Sequence, residues 1–138
     1  MSPLEISECL AKMDNIMRNP ICRPFIFPEE FPEVEIPKDV AGLRDIRSTL
    51  LSGGYHGVDI WFASIDRYFM ALKAENETNP IVRNAIMDTR MKFKKKKTKL
   101  VKMFNNRQHS HEGTLEKLKH HLQSLPPGLL NQHKVSKS

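Results

Sequence analysis

The segment from Pro20 to Val40 constrains the fold more than any other part of the chain, because it carries a proline at every fourth or fifth position. The prolines are Pro20, Pro24, Pro28, Pro32 and Pro37. Proline lacks a backbone N–H and disfavours helical geometry in the residue before it, so this density excludes a regular helix. Apolar side chains stand between the prolines, at Phe25, Phe27, Phe31, Val34 and Ile36. They are too many for a solvated linker, and we expect an ordered loop that packs onto a core.

Helical periodicity flanks this loop on both sides. Before it, one face of a predicted helix carries Ile6, Leu10, Met13 and Met17. That helix ends by Asn19, because a proline follows. After the loop, a short helix fits residues 42–51, and the flexible Ser52-Gly53-Gly54 sequence ends it.

Two further helices follow. The strongest apolar face in the sequence begins near Gly57 and includes Trp61 and Phe62, which we expect in the core. A polar break over residues 75–79 ends this helix. Pro80 suits the first turn of the next helix, and Asn79 is its expected N-cap.

The apolar pattern lapses after Asn105. A last short helix is indicated by Leu115, Leu118, Leu122 and Leu125. The Pro126-Pro127-Gly128 sequence ends it, and the remainder is expected to be a tail. The sequence therefore predicts an all-α bundle over residues 1–106, and a helical extension with a flexible tail over residues 107–138.

The composition fits a soluble domain, with 39% hydrophobic and 28% charged residues. No apolar run approaches the roughly 20 residues that span a membrane. The first residues lack the basic start and apolar stretch of a secretory signal. We therefore expect an intracellular protein with no membrane partner. Glycine-rich phosphate loops and the common hydrolase motifs are absent from the sequence, so we expect neither an enzyme nor a cofactor.

Cysteine and histidine suggest no metal site. Cys9 and Cys22 are too few and too isolated for a disulfide framework or a thiolate site, and we interpret them as reduced packing residues. Four histidines cluster late in the chain, at His109, His111, His120 and His121. No cysteine or acidic partner completes a plausible set of ligands around them, so we expect no structural metal.

Charge is distributed unevenly along the chain. Residues 1–41 hold eight acidic side chains against four basic ones, whereas residues 80–107 hold ten basic side chains against Asp88 alone. The basic run comprises Lys92, Lys94, Lys95, Lys96, Lys97 and Lys99. A solvated helix face is the default interpretation. A nucleic-acid contact or nuclear-import patch comes second, and a basic amphipathic helix for a membrane or calmodulin comes last.

Particular residues in this helix order resemble the bromodomain, a left-handed four-helix bundle with a long proline-rich loop between its first two helices. Arg23-Pro24-Phe25 is similar to the family's Trp-Pro-Phe shelf, and Pro28 resembles the proline after it. Residues 43–55 are similar to the second helix and its exit. Counting onward from Tyr55 places Asn76 where the family keeps its acetyl-binding asparagine, and Ile81 at the gatekeeper position.

The resemblance implies a chromatin-associated reader of acetylated lysine, on histones or other nuclear proteins, acting in transcription regulation in the nucleus as a monomer. Acetylation leaves a neutral amide, so a receptor needs an apolar slot with one oriented donor. Asn76 would supply the donor, with Glu75 beside it. The expected shelf and walls are Pro24, Phe25, Val34, Ile36 and Ile81.

The chain also departs from the family pattern. Arg23 replaces the shelf tryptophan, the loop is several residues shorter, and no tyrosine occurs in it. Glu33 or Glu35 stands in that neighbourhood, where a carboxylate would favour a ligand that keeps its positive charge or would point into water. Two alternatives therefore remain open. Asn76 would cap a helix rather than bind a ligand, or the fold would be a scaffold with a degenerate pocket that binds protein or nucleic acid through its basic helix.

Overall fold

The computed structural model describes the backbone of residues 1–124 and the side chains of residues 1–107. Its five α-helices are α1 (Pro3–Met17), α2 (Arg23–Ile26), α3 (Leu43–Leu51), α4 (Val58–Glu75) and α5 (Pro80–Ser124). Two 3-10 turns, Pro20–Cys22 and Pro28–Glu30, lie on either side of α2. Over residues 1–124 there is no strand, so the predicted all-helical architecture is confirmed.

Helix α1 begins at a capping box. The Glu5 backbone N–H donates to Ser2 Oγ at 3.2 Å, and the Ser2 N–H donates to the Glu5 carboxylate at 3.2 Å. This exchange satisfies two backbone donors that a helix start leaves without partners. Cys9, Met13 and Ile16 line the buried face. Burial raises the pKa of the Cys9 thiol to about 12, so it is a neutral packing group at physiological pH.

The proline-rich loop is ordered and packed, with Phe25, Ile26 and Val34 buried. The expectation that its prolines exclude regular helix was wrong for four residues, because α2 forms within it. Each helical piece of the loop carries its proline in the first turn. A first-turn N–H has no partner inside a helix, so a proline there removes no hydrogen bond.

Helices α4 and α5 meet through an aromatic core. The ring centroids of Trp61 and Phe93 lie 6.4 Å apart, and those of Phe69 and Phe93 lie 5.8 Å apart. Phe25 reaches this core from the loop, with its ring edge-on to Phe69 at 5.8 Å. Trp61 is fully buried as predicted. Phe62 is only half-buried, which corrects its assignment to the core, and the Lys97 ammonium lies 5.5 Å from the centroid of its ring.

Ion pairs join neighbouring helices. Arg47 of α3 donates to Asp14 of α1 at 2.8 Å, and this hydrogen bond holds the pKa of Asp14 below its usual value. The stabilisation is present above the ordinary aspartate pKa and is lost as pH falls through the depressed one. Arg90 of α5 pairs with Asp66 of α4.

The last helix differs from its prediction. Where the apolar pattern lapses around residues 108–111, α5 continues without a break to Ser124, so no separate short helix forms. The Pro126-Pro127-Gly128 sequence and the tail lie outside the described residues. The chain divides into two compact units, Met1–Val101 and Lys102–Ser138. Among the described helices, none is long and apolar enough to cross a membrane.

The aromatic core predicts a sharp contrast between adjacent positions of α4. Phe69 is fully buried, whereas Met70 is 39% exposed. We expect Phe69→Ala to lower the free energy of unfolding by about 3–5 kcal/mol, because it leaves a cavity among three other rings. Met70→Ala should lower it by less than about 1 kcal/mol. Urea unfolding of both variants measures the difference, and equal losses would contradict the described core.

Candidate functional site

Four of the predicted wall residues line one cleft. Pro24 and Phe25 come from α2, Val34 from the loop and Ile81 from the first turn of α5. The cleft has a volume of about 230 Å³, and its other lining residues are Pro20, Ile21, Phe31, Glu33, Val82 and Ala85. We call it the loop cleft. Its walls are almost entirely apolar, and the Glu33 carboxylate is the one charged group among these lining residues.

The side chains that line the loop cleft are buried at its floor and exposed at its rim. Phe25 and Val34 are buried and form its floor, whereas the Ile81 side chain is 83% exposed. An isoleucine this exposed contributes little to the stability of the fold, because its apolar surface stays in water. Ile81 is therefore available to a ligand at the rim.

Ile36 lies elsewhere. It lines a second cavity of about 280 Å³ with Val40, Leu43, Tyr68 and others, and only Phe25 belongs to both cavities. Ile36 is thus not brought together with Ile81. Val34 lines the loop cleft and Ile36 lines the second cavity, although the two residues are only two positions apart in the loop.

Asn76 is almost completely buried, and it is bonded to the proline-rich loop. Its Nδ2 group donates to the Glu35 carbonyl at 2.8 Å, and the Glu35 N–H donates to Asn76 Oδ1 at 2.9 Å. The second Nδ2 hydrogen goes to the Leu72 carbonyl at 2.8 Å. Both amide hydrogens and the amide oxygen are therefore used within the chain. We call the pair of bonds to Glu35 the Asn76 clip.

The clip places Asn76 outside both cavities and gives it a structural role. Asn76 is the C-cap of α4, and its own backbone N–H donates to the Lys73 carbonyl at 3.2 Å. The next helix is capped by Asn79, whose Oδ1 accepts from the Val82 N–H at 3.3 Å. Glu75, the other polar residue expected at the pocket, is exposed and lines neither cavity.

A phenol anchors the other end of the loop. Tyr68 of α4 donates its hydroxyl hydrogen to the Phe25 carbonyl at 2.7 Å. Burial raises the pKa of this phenol above its usual value, so it remains a donor at physiological pH. Sequence reasoning missed Tyr68 as a site residue, because its partner lies 43 positions away. The only available signal was its place on the apolar face of α4.

Arg23, which the resemblance matches to a shelf tryptophan, contacts an aromatic ring of the loop. Its guanidinium lies 5.2 Å from the centroid of the Phe27 ring, and Arg44 of α3 lies at the same distance from that ring. Each arginine is also paired with a loop carboxylate, Arg23 with Glu30 at 2.9 Å and Arg44 with Glu29 at 3.2 Å. These pairs are half-exposed and individually weak. The Arg44 contacts join the loop to the start of α3, whereas the Arg23 contacts lie within the loop.

The lysines of the basic run fall into two sets, those that are paired or half-buried and those that are exposed. Lys97 is paired with Asp59 at 3.3 Å, and Lys92 and Lys96 are half-buried. Lys94, Lys95 and Lys99 are exposed. No group of His, Cys, Asp or Glu side chains suited to a metal occurs within residues 1–107, and the four predicted tail histidines lie outside that range.

Comparisons with protein-family models, characterised proteins and solved structures find no match to this chain. The bromodomain resemblance therefore rests on the quoted residues and on the order of the helices.

Because of the clip, we expect Asn76 to contribute more to the stability of the fold than the nearby Asn79. Asn76→Ala removes three hydrogen bonds and leaves the Glu35 N–H and carbonyl without their partner. We expect the free energy of unfolding to fall by about 3 kcal/mol. Asn79→Ala removes one capping bond and should cost about 1 kcal/mol. Chemical denaturation of the two variants gives the comparison, and a smaller loss for Asn76→Ala would contradict the clip.

Proposed function

We propose that the chain is a non-enzymatic binding module of the bromodomain type, a left-handed four-helix bundle that recognises acetylated lysine in histones or other nuclear proteins. The observation that carries the proposal is the convergence of Pro24, Phe25, Val34 and Ile81 on one cleft. Shelf, loop and gatekeeper positions lie far apart in sequence, and the resemblance alone predicted that they would meet.

The loop cleft suits one side chain of a partner peptide. Its volume of about 230 Å³ is below the roughly 300–1,000 Å³ of small-molecule sites, and its walls offer apolar contact to an alkyl stem. Glu33 at the loop side adds a negative charge that favours the basic peptides in which acetylated lysines occur. One side chain in such a cleft contributes a binding free energy only slightly larger than the entropic cost of association. The affinity should therefore be micromolar or weaker.

Acetyl recognition by Asn76 requires an exchange at the clip. The Nδ2 hydrogen that now bonds the Glu35 carbonyl would bond the acetyl carbonyl instead. One N–H···O bond replaces another, so the ligand gains no net hydrogen bond from Asn76, and the loop at Glu35 must move aside. The bond to Leu72 can stay in place throughout. Binding is therefore expected to be coupled to a local movement of the loop.

The test is an NMR titration of isotope-labelled protein with a histone peptide, in its acetylated and unmodified forms. We expect shifts at Ile81 and at the Glu35 amide with the acetylated peptide only. The loss-of-binding variant is Ile81→Asp, since this exposed side chain can change without disturbing the core. Ile60→Asp is the matched control, because Ile60 is an isoleucine of α4 that is 52% exposed and lines neither cavity.

Three outcomes would contradict the proposal. An equal response to both peptides would show that acetylation is not read. A response at Ile81 without any change at the Glu35 amide would show a cleft that binds side chains while Asn76 stays in its clip. No response to either peptide would leave a bundle with a degenerate pocket. Asn76→Ala is unsuited to this test, because it also removes the clip.

A further inference from the structure

A second surface on α5 has the features of a binding site. Five exposed residues at helical spacing form a shallow depression, namely Met91, Lys94, Lys95, Thr98 and Lys99. We call this surface the basic face. The other four lie three, four, seven and eight positions after Met91, so all five share one side of the helix.

The three lysines of the basic face are not used within the fold. Lys97, in the same run, is held by the Asp59 carboxylate and the Phe62 ring. No ion pair is formed by Lys94, Lys95 or Lys99 within residues 1–107. Asp88 is the single acidic residue over residues 80–107. Three positive charges are thus concentrated on one helix side with little local compensation.

We propose that the basic face binds the phosphate backbone of duplex nucleic acid. Lys94 and Lys99 are five residues apart, which is about 7.5 Å along a helix axis. Phosphates recur about every 3.4 Å along the axis for each strand, so the basic face spans about two phosphate steps. Thr98, between the lysines, donates its hydroxyl hydrogen to the Lys94 carbonyl at 3.0 Å, so the phosphate contacts would come from the lysine ammonium groups.

Charge and burial favour a polyanion over a lipid surface. A helix that lies on a membrane inserts an apolar stripe beside its lysines. The apolar residues of this part of α5, Phe93 and Leu100, are buried in the core instead. Met91 is the one apolar side chain of the basic face, and it is 43% exposed. A single methionine provides too little apolar surface for membrane insertion.

The basic face is independent of the loop cleft. Ile81, at the rim of the cleft, precedes Lys94 by thirteen residues, which corresponds to about 20 Å along the helix. A peptide in the cleft would leave the basic face open. Acetyl-lysine binding in the loop cleft and nucleic-acid binding by the basic face can therefore be tested independently.

The experiment measures binding of the full chain to a fluorescein-labelled 20-base-pair DNA duplex between 50 and 200 mM salt. The test variant is Lys94→Gln, Lys95→Gln and Lys99→Gln combined. Three phosphate contacts contribute about −2.7 to the slope of log affinity against log salt concentration, and their affinity contribution falls about 40-fold over this range. We expect the test variant to flatten the slope by about this amount.

The control variant removes the same charge from elsewhere in Met1–Val101. It combines Arg18→Gln, Lys38→Gln and Arg67→Gln, three exposed cations outside the basic face. We expect its slope to equal that of the wild type. Lys97→Gln should also leave the slope unchanged, because that ammonium is already paired. Circular dichroism establishes that every variant keeps its helical content.

Two results would overturn the proposal. Equal flattening in the test and control variants would show that general charge, and not the basic face, drives the association. Binding to phosphatidylserine vesicles with no binding to the duplex would assign the face to a lipid surface.

Discussion

Two hydrogen bonds between the Asn76 side chain and the Glu35 backbone hold the proline-rich loop against the end of α4. A loop with five prolines has few backbone donors, and α-helix forms over only four of its residues. It is fixed instead from outside, by Asn76 at one end and by the Tyr68 hydroxyl on Phe25 at the other. Between these anchors, Phe25 enters the aromatic core and Val34 forms the floor of the loop cleft.

The same interaction decides what the site can do. A buried asparagine would hold an acetyl amide by donating a side-chain N–H to its carbonyl oxygen. Here a backbone carbonyl of the chain already accepts that N–H. The loop backbone at Glu35 takes up this donor because it lies against the end of α4. The site is therefore closed at the amide end and open at the rim, where Ile81 is exposed. Any ligand that uses Asn76 must compete with Glu35.

Most of the helices could be predicted from the helical periodicity of the apolar residues. The apolar spacing predicted α1, α3 and α4, and Asn79 followed by Pro80 predicted where α5 begins. Contacts between distant residues could not be predicted in this way. Asn76 and Glu35 are 41 positions apart, and either a cap or a ligand donor was consistent with the sequence around Asn76. The division of the lysines also required the structure, because only the position of Asp59 and Phe62 on the neighbouring helix separates Lys97 from Lys94, Lys95 and Lys99.

Asn76 holds the loop through Glu35, and hydrogen exchange at the Glu35 amide reports on this bond. This N–H lies in a loop outside any regular element, so its protection depends on the bond to Asn76 Oδ1. An opening free energy of about 3 kcal/mol would slow its exchange roughly 100-fold relative to an unfolded chain. We expect protection of that order in the free protein. Exchange at the unfolded rate would contradict the clip and would leave Asn76 available to a ligand.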